Sequence, residues 1–115
     1  MVKASGTTEA PRLDLVFHAL ADTTRRSILR EVATTEKTVG EIAHPYQMSL
    51  AAVSKHLKVL ERADLVSREK RGSFQFVRAK PQTMKLAHQW LSFYEEFWAE
   101  QLDRLEQAFK ERKDV

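Results

Sequence analysis

The stretch MSLAAVSKHLKVLERADLV, residues 48–66, carries the pattern from which the fold is read. Val53, Leu57 and Leu60 recur at spacings of four and three, so they share one face of a helix. Ser49 stands where an N-cap hydroxyl belongs, one residue before that periodicity begins. Ala51, Lys55, Lys58 and Arg62 fall on the opposite face, with Ser54 beside them. The outer surface at the N-terminal end, Ser49, Leu50, Ala51, Ala52 and Ser54, is small and partly polar. A helix that enters the major groove of DNA, about 12 Å wide, needs such a slim leading end and an anchored inner face. Read this way, Ser54 and Lys55 are candidates for base edges, Ala51 and Ala52 for thymine methyls, and Lys58 for phosphate. An ordinary amphipathic helix with its lysines in water fits the same residues; what flanks the helix has to decide.

Upstream, RLDLVFHALA (residues 12–21) spaces Leu13, Val16, Phe17 and Leu20 as a helix. Asp22 interrupts and can cap a second helix, TTRRSILREVA, with Ile28, Leu29 and Val32 facing inward. Residues 34–37 read as a polar connector. Thr38-Val39-Gly40-Glu41 is a capping box that starts a short third helix, ended by Pro45. Downstream, residues 65–71 and 74–80 have strand character and flank Gly72-Ser73, which predicts a hairpin. Pro81 opens a long last helix to about Arg112. The expected fold is mainly α with a small β-hairpin. Its order is four helices, two strands and a final helix, the winged helix-turn-helix arrangement. The short capped helix before residues 48–66 and the hairpin after them favour groove insertion.

Charge is distributed accordingly. The chain has 115 residues and a net charge of +3, but residues 48–80 hold eight Lys/Arg against three acids, and residues 81–115 five against seven. A basic middle suits a polyanion. Arg68, on the first strand, and Lys70 and Arg71, at the hairpin tip, extend the candidate set. A wing of this kind tracks phosphate or reaches a narrow minor groove. Arg25 and Arg26, opening the second helix, can meet phosphate or pair with a nearby acid.

The segments FHALADTTRRSILREV and MSLAAVSKHLKVLERADLV together resemble the ArsR family of winged-helix transcription factors, over about residues 12–112. The resemblance implies a homodimeric repressor on a short inverted repeat of double-stranded DNA in its own promoter region. By position it assigns Ser49, Leu50, Ala51, Ser54, Lys55 and His56 to the contact region. Two positions depart from the family pattern. Thr23 stands where proline is common and Asp64 where glycine is common. The latter has the look of a left-handed site after a helix, so Asp64→Gly is expected to raise stability.

Many relatives sense metals, but the resemblance is closer to the metal-independent branch: on the last helix His88, Glu95 and Glu96 lack the paired histidines of a metal site. The chain has no cysteine, and His18, His44, His56 and His88 sit in four separate elements. No metal and no cofactor are expected. No nucleotide fingerprint, phosphate loop or Ser/His/Asp cluster points to an enzyme.

On the last helix Leu91, Tyr94, Trp98, Leu102, Leu105 and Phe109 form one stripe, with Trp90, Phe93 and Phe97 beside it. So much aromatic surface on one helix exceeds what a small winged domain can cover. A second copy is the expected cover, with Leu13, Val16, Phe17 and Leu20 packing alongside. An aromatic-rich pocket for an unidentified small-molecule effector is a further reading of the same residues. Residues 1–10 read as a flexible tail without a secretory leader, and residues 11–115 as one domain whose helix 81–112 dimerises. No membrane partner is expected, and the setting is cytoplasmic. The competing class is a winged-helix module that binds proteins without specific DNA recognition.

Overall fold

A computed structural model describes residues 9–113, in the order α1 (Glu9–Leu20), α2 (Thr23–Thr34), β1 (Lys37–Thr38), α3 (Val39–Ala43), α4 (Leu50–Arg62), β2 (Val66–Arg71), β3 (Phe74–Ala79) and α5 (Pro81–Lys113). A 3-10 turn, His44–Tyr46, joins α3 to α4. The tail expected over residues 1–10 lies outside the described residues up to position 8, and Glu9 and Ala10 already belong to α1. The chain forms two compact units, one up to Met84 and one from Lys85 onward.

Helices α2, α3 and α4 each start where a side chain satisfies a free amide. The Arg25 amide donates to Asp22 Oδ2 at 3.0 Å, opening α2. At α3 the box closes in both directions: the Glu41 amide donates to Thr38 Oγ1 at 3.1 Å, and the Thr38 amide to Glu41 Oε1 at 2.8 Å. The Ala52 amide donates to Ser49 Oγ at 3.1 Å, opening α4. Pro45 does not simply stop a helix; it sits at the head of the 3-10 turn, whose end is Gln47 in the left-handed region.

α4 ends in a Schellman motif. The Asp64 amide bonds the Glu61 carbonyl and the Leu65 amide the Leu60 carbonyl, both at 2.9 Å, with Asp64 at φ 62°. The left-handed backbone read from the sequence is therefore present. The Asp64 side chain also has a partner that glycine would lose. Its carboxylate meets Lys80 Nζ at 2.5 Å, and its own carbonyl accepts from Thr83 Oγ1 at 2.5 Å.

The hairpin pairs Val66 with Ala79 through to Arg71 with Phe74, closing over Gly72-Ser73. Gly72 has φ +61° and Ser73 has no positive φ, the requirement of a two-residue II′ turn. The connector expected near residue 37 is instead strand: Lys37 faces Val77 and Thr38 faces Phe76, giving a three-stranded antiparallel sheet in the order β1-β3-β2. Beneath it lies the core of the first unit. Val16, Ile28, Ile42, Val53, Leu57, Leu60, Leu65 and Val77 are all fully buried there. Val16 was expected on a partner-facing surface; with 0% exposure it belongs to this core.

Candidate nucleic-acid interface

α4 is held by its three buried residues and by α3, so its other face is presented outward. Leu50, Ala51, Lys55 and Lys58 are exposed, and Ala52 and Ser54 half-buried. Lys55, Lys58 and, on the hairpin, Lys70 have no ion-pair partner among the described residues. An unpaired, solvated ammonium next to a slim helix surface is the arrangement that neutralises phosphate at little cost.

The arginines behave differently from the lysines. Arg25 donates from Nε to the Ala19 carbonyl at 2.7 Å and from Nη2 to the His18 carbonyl at 3.1 Å. Arg26 donates to the Leu20 carbonyl at 2.8 Å. Both satisfy the C-terminal carbonyls of α1, where a cation also meets the negative end of the helix dipole. Neither guanidinium hydrogen-bonds a carboxylate among the described residues. His56 sits 3.4 Å from Arg25 Nη1; a guanidinium can only donate, so Nδ1 accepts. Through this contact with Arg25 the histidine ties α4 to α2 from behind.

On the wing, Arg68 grips Glu61 Oε1 with Nε and Nη2 at 3.0 and 2.7 Å, and reaches Gln75 Oε1 with Nη1 at 3.2 Å. It braces the hairpin against α4. Arg71 is clamped too: Nη2 lies 2.6 Å from Glu36 Oε2, Nε 3.1 Å from Glu69 Oε1, and the guanidinium 4.3 Å from the Phe76 ring centroid. The Arg71 guanidinium holds the Glu36 carboxyl below its ordinary value. Of the cations expected at the hairpin tip, Lys70 alone is unpaired among the described residues, and Arg71 is held by acids.

Between the first turn of α4 and the wing lies a notch of about 470 Å³, walled by Leu50, Phe74 and Ser54, with Arg68 and Gln75 also lining it. Sequence reasoning missed Phe74 as a surface feature, because a strand phenylalanine reads as core. Its 61% exposure follows from its place beside the turn.

In the second unit Trp90, Leu91, Tyr94, Phe97, Trp98, Leu102 and Leu105 are all between 38 and 60% exposed. Their rings touch along the helix: Trp90 and Tyr94 have centroids 4.4 Å apart, and Phe97 meets Trp98 edge-on at 5.9 Å. On α1, Leu13, Phe17 and Leu20 are half-buried. An apolar groove of about 490 Å³ opens on the first unit between Leu20, Leu29, Ala33, Ala79, Pro81 and Met84, and none of the aromatics expected to frame an effector pocket lines it. Among the described residues no cluster of His, Asp or Glu could hold a metal ion, and no helix is long and apolar enough to cross a membrane.

A capped helix-turn-helix carrying an exposed, lysine-backed second helix and a three-stranded wing defines the class: this is a winged helix-turn-helix DNA-binding protein. Residues 20–69 match a helix-turn-helix domain family. The chain is 30% identical over 76 residues to the transcriptional repressor SdpR of Bacillus subtilis, covering 66% of this chain and 84% of that protein. The crystal structure of the ArsR family transcriptional regulator RHA00566 superposes with a TM-score of 0.73 at 28% identity, covering 86% of this chain and 97% of the other. A homodimeric winged helix-turn-helix DNA-binding domain from Mycobacterium bovis has the same fold, with a TM-score of 0.64 at 24% identity over 84% of this chain and 91% of its own. The chain belongs to the ArsR family of transcriptional regulators.

Proposed function

We propose that this protein is a homodimeric, autoregulatory repressor that binds an inverted-repeat operator in double-stranded DNA in the cytoplasm. The first unit is the DNA reader and α5 the pairing helix. The observation that carries this reading is the face of α4, where Lys55 and Lys58 are exposed and unpaired behind the small residues Ser49, Ala51, Ala52 and Ser54. In this role Ser54 and Lys55 meet base edges, Ala51 and Ala52 meet thymine methyls, and Lys58 and Lys70 meet phosphates. Arg25, Arg26, Arg68 and His56 position the reading elements. Repression is supported by the similarity to a protein named as a repressor, and pairing by the exposed aromatic helix and the homodimeric relative.

The test is a footprint of the purified protein on DNA flanking its own gene, followed by titrations at several salt concentrations. A protected, two-fold symmetric site whose affinity falls steeply with salt is expected. Protection of no site over random competitor would end the repressor reading. A partner retained at high salt would instead mark a protein-binding module.

A further inference from the structure

Leu50 and Phe74 stand out in the first unit. At 60 and 61% they are its only large apolar side chains more than half exposed among the described residues, and both line the same notch. They come from elements far apart in sequence: Leu50 is the first residue of α4, and Phe74 the first residue after the wing turn. Two bulky apolar side chains facing one notch whose other walls are mostly small and polar form a local apolar seat. The position supplies an occupant. If α4 enters the major groove and the wing reaches toward the neighbouring minor groove, one strand of the duplex must pass between them. Between successive phosphates such a strand also exposes the C–H edge of its deoxyribose, which is apolar. The notch matches that alternation. Leu50 and Phe74 offer hydrocarbon, while Lys58 on α4 and Lys70 on β2 stand unpaired among the described residues to meet the flanking charges.

We infer that this notch seats one DNA strand, its deoxyribose edge held between Leu50 and Phe74. The inference rests on the DNA-binding reading above. It deepens that reading by adding an apolar component of affinity that depends on neither sequence nor salt. Cation–phosphate contacts set the slope of log affinity against log salt; sugar packing sets only its height.

The experiment uses the full chain and a fixed mixed-sequence duplex of about 30 base pairs at low to moderate salt, so no operator need be known. Leu50→Ser and Phe74→Ser are each expected to weaken binding about tenfold at every salt concentration, with the slope unchanged. Phe74→Leu is expected to stay within about twofold of the parent. Unchanged affinity in both serine variants would overturn the notch assignment while leaving DNA binding intact. A loss accompanied by a flatter slope would overturn it too, by showing that the residues act through a displaced cation. A change of oligomeric state in either variant would assign the notch to a protein surface. Absence of duplex binding by the parent would remove the underlying reading itself. Matching melting temperatures establish that the variants are folded, which their exposure favours.

Discussion

Single residues in this chain are decided by partners far away in sequence. Asp64 is the sharpest case. Its left-handed backbone is the strain that glycine would relieve, yet its carboxylate holds Lys80. Asp64→Ala keeps the strain and loses the ion pair, so it should destabilise the fold by about 1–2 kcal/mol. Asp64→Gly loses the pair but also the strain, and should fall within about 0.5 kcal/mol of the parent. Urea unfolding of both variants gives the comparison; equal losses would mean that the backbone conformation costs nothing. Glu36 is the second case. It lies 2.6 Å from Arg71, a cation that the DNA-binding proposal would bring to phosphate, with Glu69 as a second acid at 3.1 Å. Glu36→Gln should therefore tighten binding to any duplex several-fold and steepen the salt dependence by about one phosphate's worth. Titration across salt concentrations reads both quantities. An unaltered slope would show that Arg71 stays on the wing when DNA is bound. Neither Glu36 nor the α1 carbonyls could be assigned to their arginines from the sequence, because only the folded chain brings Glu36 to Arg71 across 35 positions.

At the scale of elements the sequence was far more legible, and the reason is physical. Asp22, Thr38 and Ser49 cap helices through bonds three residues long, so their partners are written beside them. The core positions Val53, Leu57 and Leu60 announce themselves by period alone. β1 is the contrast. A two-residue strand has no period to detect, and it exists because β3 passes beside it. The caps also make stability depend on pH. Asp22 is held below its ordinary 3.8 chiefly by the Arg25 amide, and Glu41 below its ordinary 4.5 chiefly by the Thr38 amide. A carboxyl whose value is lowered in the folded state adds stability that is complete above its ordinary value and disappears as pH falls through the lowered one. The melting temperature should accordingly be level near neutrality and decline once pH drops below about 4.5. Glu41→Gln preserves the box geometry but removes one titrating group, so its decline should be shallower. A parallel acid limb in parent and variant would exclude Glu41 as a contributor.

The whole molecule poses a question that neither of its compact units answers alone. Helix α5 carries large apolar side chains from Trp90 to Phe109 that are mostly about half exposed, including Phe93 at 66% and Trp98 at 58%. A standard protein interface buries about 800 Å² per partner, an area that the half-exposed apolar side chains from Trp90 to Phe109 supply only when most of them take part. Trp98→Asp places a charge in the middle of that surface, where burial without a partner is strongly unfavourable. The variant is expected to be monomeric by light scattering at micromolar concentration. Its affinity for an operator should drop by about a hundredfold, because the second half-site no longer binds at the high effective concentration that pairing provides. Affinity alone would not separate lost pairing from a damaged reading head, but the salt slope does. Each protomer neutralises its own phosphates, so a monomer with intact α4 and wing should show about half the parent's slope. A slope near zero would locate the damage in the reading head itself. A dimer that persists would refute pairing through α5.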